Sequence, residues 1–290
     1  YYYMLDKRQR FNDKAKSVTT VIKNAISRTE KKLAAQRQCV LEAEQRETCK
    51  QYGDLILANI WQVKPQQAEL VCDNYYDGTT AKIPLDVQLT AQQNAQAYYK
   101  KYRKLKSSAE HNTALVAENE KLLEYLLTIK DNLRYCTEED DLAEVRRELV
   151  QLGLIKEKHN GKKQPAEKPV KPLHYRIDGF DVYVGKNNIQ NNQVTFRTAR
   201  PGDMWLHTQK VHSSHVAILS GGKTIPDDVI VKAAEICAYF SQASGGTKIA
   251  VDYTDRANVK KPPKAPLGFV IYPTYETILV DPNRHPELAE

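Results

Sequence analysis

A chain of 290 residues with 41% hydrophobic and 27% charged side chains and only 12 glycines has room for two domains, or for one domain plus an elongated element. That balance leans toward helix and away from a sandwich or a disordered tail, and no apolar run is long enough for a membrane-spanning helix. The net charge of +7 is mild, so it matters only where it is concentrated.

The opening YYYMLDKRQRF looks like neither a signal peptide nor a natural start, and reads as a chain that begins partway through a longer protein. From Lys7 to Tyr52 there is no proline or glycine, and Phe11, Ala15, Val18, Ile22, Ile26, Leu33 and Val40 recur in steps of mostly three, four or seven. That spacing predicts one helix of about 45 residues with a single apolar stripe. A second uninterrupted stretch, Thr90 to Leu133, carries Tyr98, Tyr102, Leu105, Leu115, Leu122, Leu126, Ile129 and Leu133. Each stripe needs cover, so an antiparallel coiled-coil hairpin is expected.

Between the helices, Asp54 to Val63 reads as a short helix, and AELVCDNYYDGTTAKIPLD as two strands around Asp77-Gly78. After Leu133, TEEDDLAEVRRELVQLG reads as a helix with Thr137 as N-cap and Gly153 ending it. The segment Ile155 to Arg176 holds seven lysines or arginines, two acids and three prolines, and reads as a flexible basic linker.

Beyond it, short apolar segments return. HYRI and DVYVG form a hairpin at Asp178-Gly179, KNNIQNNQVTFRTA a helix, and MWLHT and SHVAIL strands. Pro226 to Ser241 is a helix, and TKIAVDYT, GFVIYP and ETILVDP are further strands. The fold class is therefore α+β: a long antiparallel coiled-coil hairpin with a small α/β tip, followed by a compact α+β C-terminal domain. Residues 1–153 form the arm, with the tip at about 54–90; 154–173 are the linker and 174–290 the terminal domain.

Charge points to function. AYYKKYRKLK, Ala97 to Lys106, has five basic residues, three tyrosines and no acid, so Lys100, Lys101, Arg103 and Lys104 are candidate phosphate contacts with tyrosines able to stack on bases. Glu110 to Glu148 has eleven acids against five bases and offers an internal partner for that run. The five cysteines, at 39, 49, 72, 136 and 237, include no C-x-x-C pair and read as reduced cytosolic thiols.

His207, His212 and His215 sit beside Trp205 in the pattern H-x4-H-x2-H. Three readings stand: metal ligands, with only Asp203 as a nearby carboxylate; histidines satisfied inside a sheet; or a surface where imidazole and indole meet RNA. A serine nucleophile lacks its elbow motif. Lys186, Arg197, Arg200, Lys210, Lys260 and Lys261 lie near these segments in sequence and favour the RNA surface, with Gly221–Lys223 read as a turn.

GFDVYVGKNNIQNNQVTFRTARPGDMWLHTQKVHSSHVAI and VKKPPKAPLGFVIYPTYETILVDP closely resemble the terminal NFACT-R domain of the RqcH/NEMF family, whose members also carry the name fibronectin-binding protein A. LILANIWQVKPQQAELVCDNYYDGTTAKIPLDVQLTAQQNAQAYYKKYRKLK resembles that family's middle coiled-coil module, so the likeness covers nearly the whole chain. The family's N-terminal NFACT-N domain is not recognised in it. One departure is Ser213-Ser214-His215 where the family has Gly-Ser-His.

The resemblance implies a cytoplasmic factor of ribosome-associated quality control. Such a factor binds a large ribosomal subunit obstructed by peptidyl-tRNA, recruits tRNA and supports untemplated alanine tailing. Its coiled-coil tip reaches the stalk base, and the ribosome makes the bonds, so neither enzyme activity nor a cofactor is expected of it. The RNA-contacting set would be Lys100, Lys101, Arg103, Lys104, Lys186, Arg197, Arg200, Trp205, His207, His215, Lys260 and Lys261. A cell-surface adhesin for fibronectin and a metal-dependent hydrolase are the alternatives.

Overall fold

The computed structural model describes residues 2–156 and 170–290. They divide into two compact units: a helical-hairpin unit, Ser27–Leu123, and a sheet unit that joins the residues up to Ile26 to Glu124–Glu290.

In the hairpin unit, α1 (Tyr2–Glu42) passes through a 3-10 turn at Ala43–Gln45 into α2 (Arg46–Ala58), and α3 (Ala91–Asn132) returns. Arg37 pairs with Glu120 at 2.6 Å, and Gln36 with Asn119 at 3.2 Å. Further on, Tyr52 meets Tyr98 edge-on at 5.5 Å, and Asp54 accepts from the Tyr99 hydroxyl. Numbers that rise on one side fall on the other, so the pair is antiparallel, as the two apolar stripes require. The helix expected at Asp54–Val63 is not separate: α2 continues to Ala58, and a 3-10 turn follows at Ile60–Gln62. Gly53 lies inside α2 because a β-carbon there would come within 2.9 Å of the Tyr99 ring. Close packing of that ring offsets the roughly 1 kcal/mol that glycine costs a helix.

The tip hairpin forms as expected from β1 (Glu69–Asn74) and β2 (Thr79–Pro84). Register pairs Leu70 with Ile83 and Cys72 with Ala81, so alternate residues face Leu55, Ile56, Leu85 and Ala95 in one small core.

In the sheet unit, α4 (Glu139–Gln151) starts one residue later than the sequence suggests. Glu138, not Thr137, is the N-cap, and Asp141 reaches back to accept from the Glu138 N–H at 3.1 Å. Lys7 and Lys14 of α1 pair with Glu138 and Glu139. The linker reading at 154–173 falls largely outside the described residues.

Six antiparallel strands follow: β3 (Leu173–Ile177), β4 (Phe180–Val184), β5 (Met204–Thr208), β6 (Val216–Leu219), β7 (Ile249–Asp255) and β8 (Glu276–Val280), in the order β3-β4-β6-β5-β7-β8. One face packs on α6 (Asp227–Tyr239) through Val182, Leu206, Val216, Val229, Ala233 and Ile236. The other face meets α5 (Asn188–Gln193), which runs into a π-turn at Val194–Thr198 where one plain helix was expected. GFVIYP is not a strand: Gly268 takes φ 74° and Pro273 follows closely, leaving only a Lys260–Ile271 bridge.

The compact units do not part where the sequence reading placed the arm boundary. α4 packs against α5, inside the sheet unit.

Candidate nucleic-acid interface

Side chains alternate along β5, so Leu206 enters the α6-facing core while Trp205 and His207 share the opposite face. There the His207 ring lies parallel to Trp205 at 5.7 Å, and His215, one residue before β6, meets Trp205 edge-on at 5.1 Å. Tyr272 closes the group 4.9 Å from Trp205, and its hydroxyl donates to Asp252 at 3.3 Å. Thr195 from the π-turn joins two of these rings, accepting Trp205 Nε1–H at 3.0 Å and bonding His215 Nδ1 at 2.7 Å.

His207 and His215 are therefore brought together, with centroids 5.5 Å apart, but into an interior. Trp205 is wholly buried and His215 is 2% exposed. Burial pushes His207 down to about 4 and His215 well below the ordinary imidazole range, so both are neutral at pH 7 and offer phosphate no charge. His212 turns away to bond Thr128 Oγ1 at 2.7 Å. Among the described residues no three His, Cys, Asp or Glu side chains converge as a metal site.

Trp205 and His215 thus leave the set of contact residues. An indole and an imidazole that satisfy each other through Thr195 cannot also stack on a base. His207 keeps partial exposure, although its Nδ1 is buried without a partner among the described residues. The expected consequence is structural: His215→Ala lowers stability by about 2–4 kcal/mol through cavity and lost hydrogen bond. Urea unfolding measures that loss, and an unchanged midpoint with weaker RNA binding would restore His215 to the surface.

Lys186 is also corrected. It is 8% exposed, and its ammonium bonds Asp141. Asp141 belongs to a row of buried α4 carboxylates, Asp141, Glu144 and Glu148, that faces the KNNIQ segment. Glu144 accepts from Asn187 Nδ2 at 2.9 Å, Gln190 Nε2 at 2.7 Å and Val170 N–H at 3.1 Å. Glu148 Oε1 accepts from Asn188 Nδ2 at 2.8 Å and from the Tyr125 hydroxyl, while Oε2 has no partner among the described residues.

Burial, aided by the Glu144 charge, pushes the Glu148 carboxyl up to about 7. A raised carboxyl gives stability that is complete below its unfolded value, near 4.5, and is lost as pH rises through 7. Wild type should therefore lose about 3 kcal/mol between pH 4.5 and 8 through this group. Glu148→Gln should lack that loss in thermal unfolding across the range. An identical pH dependence in the variant would show that Glu148 does not titrate there.

The remaining cations fare differently. Lys100, Lys101, Arg103 and Lys104 are exposed along α3, with no ion pair among the described residues. The neighbouring acids do not neutralise them. Glu120 takes Arg37, while Glu138 and Glu139 take Lys7 and Lys14. Two of the three tyrosines of that run are engaged within the fold: Tyr98 donates to Pro84 C=O and Tyr99 to Asp54.

On the sheet unit, Arg197, Arg200, Lys260 and Lys261 are exposed, and among the described residues only the Lys261 side chain has a hydrogen-bond partner, Asn192 at 3.4 Å. The sequence reading missed Arg256, held over Phe196 at 5.0 Å with its Nε donating to Thr195 C=O at 2.7 Å. A lone arginine after a strand carries no signal that would have found it.

Antiparallel sheet, buried indole–imidazole cluster and exposed cations define a sheet module of α+β class. Residues 1–168 match the family model described as NFACT N-terminal and middle domains, and residues 173–270 match the NFACT protein RNA binding domain. The chain belongs to the NFACT family. It is 34% identical over 284 residues to the Rqc2 homolog RqcH of Streptococcus suis, and 35% identical over 294 residues to that of Bacillus subtilis, covering 98% of this chain in each case. It spans about half the length of these relatives, 51% and 50%. The structure is similar to that of the C-terminal part of the fibronectin/fibrinogen-binding protein from Streptococcus suis. The TM-score is 0.73 at 28% identity, covering 97% of this chain and all of that one.

Proposed function

We propose that this chain is the RNA-holding part of a ribosome-associated quality control factor. In this reading Lys100, Lys101, Arg103 and Lys104 on one unit, and Arg197, Arg200, Lys260 and Lys261 on the other, contact phosphates of the large ribosomal subunit and of tRNA. The factor supports untemplated alanine tailing on a subunit obstructed by peptidyl-tRNA. It works by binding, in the cytoplasm, without a metal or cofactor, and the ribosome makes the peptide bonds.

One observation carries the reading: these cations stay exposed and without an ion pair among the described residues, while Lys7, Lys14, Arg37 and Lys186 are matched by acids. Unmatched cations gathered along a helix are what counterion release on a polyanion requires. The tip adds a second kind of surface, with Trp61 77% exposed beside exposed Ile60 and Leu57, suited to a protein partner at the stalk base. Co-sedimentation of the chain with purified large subunits over a salt series tests the proposal. Binding that weakens linearly with log salt is expected, and no co-sedimentation at low salt would reject it.

A second reading follows from the solved relative, which is named for fibronectin and fibrinogen. If it applied here, the chain would be retained on immobilised fibronectin at physiological salt and displaced by soluble fibronectin but not by RNA. Among the described residues no helix is long and apolar enough to cross a membrane.

A further inference from the structure

Two tight turns lie side by side where β5 begins and β6 ends. Arg200-Pro201-Gly202-Asp203 closes by Asp203 N–H to Arg200 C=O at 3.0 Å, with Gly202 at φ 92°, the value its third position demands. Ser220-Gly221-Gly222-Lys223 closes by Lys223 N–H to Ser220 C=O at 3.0 Å, with φ of 56° and 79° at its two glycines. Both sequences are thus tied to their shape.

Asp203 fastens one turn to the other. Its Oδ1 accepts Ser220 N–H at 2.8 Å and the Ser220 hydroxyl at 3.0 Å, and its Oδ2 accepts Arg200 N–H at 2.8 Å. Between the turns lies a cavity of about 510 Å³, whose lining includes Arg200, Gly202, Gly221, Gly222, Lys223 and Thr224.

Three features of this cavity suit an oxyanion. Arg200 and Lys223 are exposed and lack ion-pair partners among the described residues. The glycines leave part of its wall without side chains, and the Gly221 N–H has no partner among the described residues. Nearby carboxylates are turned to other donors: Asp203 as above, and Asp255, through Oδ1, to Gly202 N–H at 3.1 Å and Ala257 N–H at 2.7 Å. A backbone donor within a glycine turn, flanked by two cations, is a recurring way to hold phosphate.

We propose that this cavity is a phosphate subsite of the RNA-binding surface, with Arg200 and Lys223 supplying charge and the Gly221 N–H a directional donor. The assignment rests on the RNA reading above. The phosphate comes either from within an RNA backbone or from its 5′ end.

The test uses the 290-residue chain with 15N-labelled glycine. Probes are decauridylate with a 5′-hydroxyl, the same oligonucleotide with a 5′-phosphate, and inorganic phosphate. RNA should move the Gly221 and Gly222 amide resonances. Arg200→Gln with Lys223→Gln should weaken RNA binding about tenfold and lower the salt slope by about one. Lys248→Gln, at the far end of β7, should change neither.

Equal affinity for both oligonucleotides assigns a backbone phosphate, and preference for the 5′-phosphate a terminal one. If wild type binds RNA but the glycines stay still and the double variant binds equally, the subsite is wrong and the RNA reading stands. If wild type binds no RNA, that reading falls and inorganic phosphate decides. Shifts at Gly221 that vanish in the double variant keep the subsite, and their absence overturns it.

Discussion

Replacing Glu144 with alanine should cost the sheet unit about 3–5 kcal/mol, the largest stability loss expected from a single substitution here. Glu144 is wholly buried, and its two oxygens accept from Asn187, Gln190 and the Val170 N–H. Truncation strands the buried Asn187 and Gln190 amides away from water and leaves the half-buried Val170 N–H without its acceptor. It also leaves Arg147, whose guanidinium lies 3.5 Å from Glu144, facing an emptied site. Glu144→Gln should fall between wild type and alanine, since one carboxamide oxygen replaces two acceptors. Urea titration followed by far-UV circular dichroism reads both variants. A Glu144→Ala midpoint matching wild type would mean that the acid row merely fills space.

Reversing four charges together, Lys100→Glu, Lys101→Glu, Arg103→Glu and Lys104→Glu, should have the largest effect on binding. If each cation meets one phosphate of a duplex, the slope of log K against log salt falls by about three to four, and affinity at low salt drops by a factor of at least about 100. Folding should be nearly unaffected, because these side chains are exposed and have no ion pair among the described residues. Subunit co-sedimentation and thermal unfolding of the same variant separate the two outcomes. An unchanged slope would remove the α3 run from the interface.

Much of the fold could be read from the sequence because its signals are local. The 3.6-residue stripe of Val18, Ile22, Ile26 and Leu33 is buried as periodicity demands. The Asp77-Gly78 and Asp178-Gly179 turns join the strand pairs expected of them. What failed depends on long-range contacts. Nothing beside Lys186 in sequence shows that Asp141, 45 positions earlier, will bury and neutralise it.

Trp205 and His215 misled for a related reason. Aromatic and imidazole side chains serve a protein interior or an RNA surface equally well, and Thr195 settles which from the π-turn. The free cations were legible as a run without acids at 97–106, whereas the Arg200–Lys223 cavity needed two separate turns to be placed together.

Because α4 is anchored through Glu144 to Asn187 and Gln190, the chain leaves Lys156 and rejoins at Val170 on one and the same body. The α4 carboxylates and the amides of the KNNIQ segment thereby tie residues far apart in sequence into a single compact unit.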